Sequence, residues 1–158
     1  MKYYLTFIAV FIGLDQLLKF TARLYLQSGS YIELITNLID LTLQENQGIS
    51  FSLLSDLPSL VRVPLLAGIS LIVVVGLCIY VFRNWTALVT GEKLGFSLII
   101  SGAVGNLIDR VVRQQVTDYM YFHFYDTGFF VNNLADDLIT IGFLIMVYQA
   151  FVIKKVDS

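Results

Sequence analysis

Five polar residues close one of the oiliest stretches of this sequence. After LGFSLIISGAV comes GNLIDRVVRQQVTD, residues 105–118, which carries Asn106, Asp109, Arg110, Arg113 and Asp118. The first four stand at i, i+3, i+4 and i+7, one face of a helix. Asp109 and Arg113 form an i,i+4 pair and are expected to bond to one another. A second polar face, Asn133, Asp136 and Thr140, opens the next apolar run, with Asp137 about 100° round the helix. The segment between them can fold back and bring Asp118 to Asp136. Two carboxylates near hydrocarbon do not both ionise easily, because desolvation and like-charge repulsion raise one of them. Such a pair can hold one proton near neutral pH. One carboxylate then activates water while the other hydrogen-bonds the carbonyl under attack. Blander readings exist for each residue: an interfacial salt-bridged stripe for 106–113, a helix cap for Asn133, a neutralising pair for Asp15 and Lys19 at i,i+4. Capping does not account for two adjacent acids that must lie near lipid.

The composition says what surrounds these groups. Of 158 residues, 57% are hydrophobic and 14% charged, and the mean hydropathy is +0.77. Soluble domains are less apolar and about a quarter charged, so the expectation is one membrane domain over residues 1–158. A net charge of −2 without a basic stripe gives no reason to expect nucleic acid. One cysteine, Cys78, cannot form an internal disulfide, and one histidine, His123, leaves a metal site without ligands. Neither a metal nor another cofactor is expected.

Four transmembrane helices are expected, at about 3–25, 60–82, 94–112 and 134–153. Residues 63–82 are about twenty without a charge, enough to cross the hydrocarbon core; the other spans carry polar residues toward one end. The first span is interrupted by Asp15, Gln16 and Lys19 and is read as retained, not as a cleaved leader. Lys2, Arg83, Lys93, Lys154 and Lys155 fall on one side, while the loop from Leu26 to Ser59 has no Lys or Arg. Both termini are therefore expected to be cytoplasmic, with two external loops. Asp15 and Lys19, then Asn106, Asp109 and Arg110, then Asn133, Asp136 and Asp137 all fall toward the outer end of their spans. Residues far apart in sequence thus meet at one membrane level.

The first external loop, about 28–57, alternates around Leu41 and Leu43, then Ile49, Phe51 and Leu53, with Asn46-Gln47-Gly48 between them. This predicts a hairpin with its turn at 46–48. The second, about 113–133, is aromatic-rich, which suits a membrane interface, with a turn expected at Asp126-Thr127-Gly128.

At these residues the sequence resembles the bacterial lipoprotein signal peptidases, the signal peptidase II family of integral-membrane aspartic proteases. The motifs DQLLK (15–19), NQGISF (46–51), GNLIDR (105–110), VTD (116–118) and NLAD (133–136) follow in order across nearly the whole chain. The resemblance implies an all-α membrane protein of four transmembrane helices with a small external β-cradle, in the bacterial cytoplasmic membrane, its site near the external face. It implies removal of the signal peptide from diacylglyceryl-modified prolipoproteins, just before the lipidated cysteine. Asp118 and Asp136 would be the catalytic pair. Asn46, Gly48, Asn106, Arg110, Asn133 and Ala135 would position the pair or the substrate. Asp15, Lys19 and Asp109 would give structural support. The expected partners are the prolipoprotein and membrane lipids, with a monomeric enzyme. The family usually has an aromatic residue where this chain has Asn132.

Two other functions are compatible with buried acids in a membrane. A proton-coupled carrier would place its acids near the midplane and show repeated halves; here they cluster at one end without a repeat. A non-catalytic scaffold would use the acids as ion pairs only. A serine mechanism at Ser101-Gly102 lacks a histidine at its own depth.

Overall fold

The computed structural model describes residues 1–47 and 58–156, excluding the side chains of residues 59 and 152–156. Four long helices are present: α1 Lys2–Tyr25, α2 Ser59–Asn84, α3 Thr90–Arg113 and α4 Leu134–Val156. At 1.5 Å per residue each exceeds a 30 Å hydrocarbon core, and all four are apolar enough to cross one. The expected spans agree to within a few residues. The largest difference is at the start of α3, where the Glu92 carboxylate accepts the Val89 N–H (3.0 Å) and helix begins at Thr90. Hydropathy alone could not see that polar first turn.

Central to the bundle is α3, with 56% of its apolar window buried against 11–17% for the others. It packs on α4, α1 and α2, whereas α2 makes little contact with α1 or α4. The outer helices turn their apolar side chains outward, as a protein dissolved in lipid does. On α1 this is taken furthest: its buried residues are Asp15, Lys19 and Ala22. Polar groups point in and oily groups point out.

The close contact of α3 with α4 and α1 depends on absent side chains. A Cβ on Gly102 would overlap the Ala135 carbonyl oxygen, and one on Gly105 would run into the Asp15 carboxylate. Small residues let helices approach where lipid offers no hydrophobic drive. Gly102→Ala should therefore lower stability by about 1–3 kcal/mol, the cost of overpacking. Thermal unfolding in detergent checks this.

Among the described residues, four strands form one antiparallel sheet in the order β1 (Ile32–Ile35), β2 (Ile39–Asn46), β3 (Val116–Phe124) and β4 (Thr127–Asn132). This corrects the loop expectations. Asn46 is not in a turn: it ends β2 and pairs with Val116, while the hairpin partner of β2 is the upstream β1. Gly48, Ile49, Phe51 and Leu53 lie outside the described residues. The second loop, expected as an aromatic segment with a turn, supplies half the sheet. Its turn falls at Tyr125-Asp126, one residue early, with Tyr125 at φ 50. The chain leaves α3 through Gln114 in the left-handed region (φ 64). This single residue stops the helix and sends β3 back over its end.

Candidate active site

The carboxylates of Asp118 and Asp136 both line a cavity of about 930 Å³. Its walls come from α2 (Ile69, Ser70, Val73), α3 (Asn106, Arg110), α4 (Ile139, Thr140) and β4 (Phe129, Phe130, Val131), with Gln44 and Asn46 from β2. It occupies the flank of α3 where α2 and α4 hardly meet.

Asp118 is the third residue of β3, 2% exposed, directly opposite Gln44 in the register. Asn46 pairs with Val116, so its side chain shares a face with Asp118 one diagonal step away. The Asn46 amide donates to Asp118 Oδ2 (3.1 Å) and the Asn133 amide to Oδ1 (2.5 Å). Burial first, and then the neighbouring Asp136 carboxylate, push the Asp118 carboxyl up to about 7 against the pull of those two donors.

Asp136 sits in the first turn of α4, where four N–H groups lack helical partners. At membrane depth water cannot be counted on to satisfy them, and side chains do so. Leu134 N–H donates to Tyr119 Oη (3.3 Å), Ala135 N–H to Asp15 Oδ1 (3.0 Å), and Asp136 N–H to Asn133 Oδ1 (3.1 Å). Asn133 thus caps α4, the blander of its two readings, and its other end holds Asp118. The Asp136 carboxylate accepts the Asn106 amide at Oδ1 (2.8 Å). Asp137 is turned aside and accepts the Asn132 amide (2.7 Å). The asparagine that departs from the family pattern is thus bonded to the acid not facing the cavity.

Behind the pair lies a buried ionic cluster. Lys19, fully buried, binds Asp15 Oδ2 (3.0 Å), Asp109 Oδ2 (3.1 Å) and Asn106 Oδ1 (2.9 Å). Asp109 Oδ2 also accepts the Thr117 N–H (3.2 Å), next to Asp118. Gln16 bridges Asp15 and the Gly105 carbonyl, 3.1 Å to each. One ammonium therefore supports Asp136 through Asn106 and the strand of Asp118 through Asp109.

The expected pairing of Asp109 with Arg113 is not formed. Arg113 reaches Glu45 on β2 (2.8 Å), and Glu45 also accepts the Thr117 hydroxyl (3.2 Å). Helical spacing allowed the i,i+4 contact, but Lys19 from α1 holds Asp109 facing inward. Arg110 lines the cavity with Nη1 3.4 Å from Ser70 Oγ, while its buried Nε has no hydrogen-bond partner among the described residues. Ala135 is fully buried, with its N–H on Asp15, and does not line the cavity. Ser101 is also fully buried and donates to the Ser97 carbonyl (2.7 Å). The residues that sequence reasoning missed are Tyr119, Gln16, Thr117 and Glu45. All four lie within or beside the motifs, but nothing in an aromatic run marks Tyr119 as a cap.

Comparison with known proteins points the same way. The family model described as Signal peptidase (SPase) II matches residues 7–152. A lipoprotein signal peptidase of Sulfurihydrogenibium sp. (strain YO3AOP1) is 37% identical, over 98% of this chain and 96% of that protein. One from Geobacillus thermodenitrificans (strain NG80-2) is 34% identical, over 94% and 89%. Two bacterial membrane enzymes solved by the in meso method share the fold. The one at 2.3 Å resolution has a TM-score of 0.80 at 23% identity, over 96% of this chain and 88% of that one. The one at 1.9 Å has 0.77 at 24%, over 95% and 93%. With a family match over nearly its whole length, on a four-helix membrane fold, the chain belongs to the signal peptidase II family.

Proposed function

We propose that Asp118 and Asp136 together activate the water with which this multi-pass membrane peptidase removes the signal peptides of lipoproteins. The observation that carries this is the shared cavity: two carboxylates from different elements, each held by asparagine amides, at one end of an apolar bundle. In the singly protonated pair one carboxylate takes a proton from water as the water attacks the carbonyl before the cysteine. The other donates its proton to the developing oxyanion; as the tetrahedral intermediate collapses, the proton taken from water passes to the leaving amine and the lent proton returns to its carboxylate. Arg110, whose Nε has no hydrogen-bond partner among the described residues, can hold a substrate carbonyl or a lipid phosphate. Asn46, Asn106 and Asn133 fix the carboxylate planes. Asp15, Lys19 and Asp109 hold the frame.

The substrate on this reading is a prolipoprotein already carrying diacylglycerol. Signal helix and lipid both arrive from the bilayer, through the gap between α2 and α4, and water needs to reach only the headgroup level. The lysine and arginine distribution puts both termini in the cytoplasm and the site at the outer face of the cytoplasmic membrane. The enzyme acts as a monomeric single domain. Cleavage of the diacylglyceryl-modified precursor should exceed that of the unmodified form by about 100-fold or more in kcat/KM, since the lipid contributes buried apolar area. Equal rates on the two precursors would rule out lipid recognition.

The pH dependence follows from Asp118. Its carboxyl is raised from 3.8 to about 7, so it is protonated below that value and charged above it. The singly protonated pair is lost as pH rises, and kcat/KM should fall on the alkaline side of about 7, with an apparent value belonging to the pair. Asn46 and Asn133 both favour the charged form. Asn46→Ala should therefore shift the alkaline limb upward. The folded state binds more protons than the unfolded chain between 3.8 and about 7, so this group's contribution to stability decreases as pH rises through that window. A pH profile that is flat from 6 to 9 would overturn the assignment.

A further inference from the structure

Between α1 and α2, toward the other end of the bundle from the paired acids, lies a second cavity, of about 710 Å³, within the size range of ligand sites. It fills the gap between α1 and α2, which each pack on α3 but hardly touch one another. Leu5 and Ile8 form one wall, Cys78 and Ile79 the other, and Ile100 and Val104 the floor. The floor hydroxyl of Ser97 is already donated to the Lys93 carbonyl (2.7 Å). Below its rim the cleft offers a ligand hydrocarbon contact and nothing else.

The rim is different. The cavity ends at Met1, Arg83 and Trp85, where α1 begins, α2 ends and α3 begins. Lys93 lies over the Trp85 ring at 5.2 Å, and Lys2 is one residue from the amino terminus. Among the described residues the acid at this end is Glu92, already engaged by the Val89 N–H. Arg83 takes part in no ion pair among the described residues. Tyr4 and Trp85 meet edge-to-face across the rim, ring centroids 5.1 Å apart. From that bridge to Val104 is roughly 15 Å along α3, about half of a hydrocarbon core.

We propose that this cleft holds one acyl chain of an anionic phospholipid whose phosphate is gripped by Arg83. Its length fits one leaflet. A transmembrane helix in its place would have to continue through the plane that the Tyr4–Trp85 bridge occupies, whereas a lipid chain ends below that plane and enters sideways. The cluster of positive charges selects an anionic headgroup over a zwitterionic one.

Trp85 is the single tryptophan of the chain and reports directly on the rim. Full-length protein is placed in phosphatidylcholine bilayers containing a low, equal mole fraction of phosphatidylglycerol or phosphatidylcholine brominated in the upper acyl chain. Brominated phosphatidylglycerol should quench Trp85 with about five-fold higher apparent affinity, as attraction of one arginine to an anionic headgroup supplies. Arg83→Gln should abolish that preference. Cys78→Phe, which fills the cleft, should reduce quenching by brominated phosphatidylglycerol to the phosphatidylcholine level. Precursor cleavage confirms that both variants are folded. Equal quenching by the two lipids in the parent protein overturns the proposal, as does a preference that survives either substitution. Efficient disulfide cross-linking of two chains through Cys78 in the bilayer would assign the cleft to a second copy instead and equally overturns it.

Discussion

Asp136→Asn is expected to insert and fold like the parent protein and to process precursor about 10²–10⁴-fold more slowly, the contribution of a positioned acid or base. It is the cleaner of the two dyad substitutions. Oδ1 of Asp136 accepts the Asn106 amide, and an asparagine at 136 can present its carbonyl oxygen there and its NH₂ to the cavity. Asp118→Asn should abolish turnover to the same extent at a structural cost. Both oxygens of Asp118 accept an amide donor, from Asn46 and Asn133. An asparagine at 118 must set its NH₂ against one of them, which costs about 1–3 kcal/mol. The pair of variants therefore separates chemistry from folding: equal loss of activity, unequal loss of stability. Single-turnover cleavage and thermal unfolding on the same preparations measure both. Normal processing by either well-inserted variant would show that the acids are ion-pair scaffolding only. Proton-driven flux in liposomes that disappears in both variants would favour a carrier.

The second large effect is expected at Lys19, which does not line the cavity. Lys19→Met removes the cation that Asp15, Asp109 and Asn106 share. Two carboxylates are left buried and uncompensated, a change that costs about 3–5 kcal/mol in protein interiors. At this chain length that is a fall of roughly ten degrees in Tm. Turnover should fall with it, because Asn106 loses the anchor that directs its amide at Asp136. Since substrate contacts lie elsewhere, kcat should drop while KM stays near the parent value. Adding Asp15→Asn and Asp109→Asn to Lys19→Met removes the stranded charges and should recover most of the lost stability. It should not recover kcat, because Asn106 remains without a donor. Parent-like Tm and kcat for Lys19→Met would show that the cluster is not what holds the site.

How much of this was legible beforehand can be judged residue by residue. The spans were, because twenty apolar residues are a length set by the bilayer and not by any partner. The polar faces of α3 and α4 were also legible, since helical periodicity fixes which residues share a side. The Asp109–Arg113 pair failed for the same reason that it looked plausible. Periodicity states which contacts are permitted within one helix, and the choice of Lys19 over Arg113 was made by α1. The sheet was half legible. Alternation marked β2, but nothing in 113–133 said that an aromatic segment would become β3 and β4, or that β2 would be flanked by β1 and β3. Strand pairing depends on distant partners, and local pattern does not specify them.

By itself the sequence determined the solvent of this protein, the number of times it crosses, the level at which its polar residues gather and the family motifs it carries. Those properties rest on composition, on run length and on order along the chain. Only the tertiary structure decided how the gathering is wired. It set Asn133 to cap α4 with one end and hold Asp118 with the other. It set Tyr119, Asp15 and Asn133 each against one free amide of the same helical turn. It gave one buried ammonium to three acceptors on two helices. The physical reason is that buried polar groups near lipid must each find a partner. Which partner is within 3 Å depends on how helices and strands pack, and no single segment contains that information.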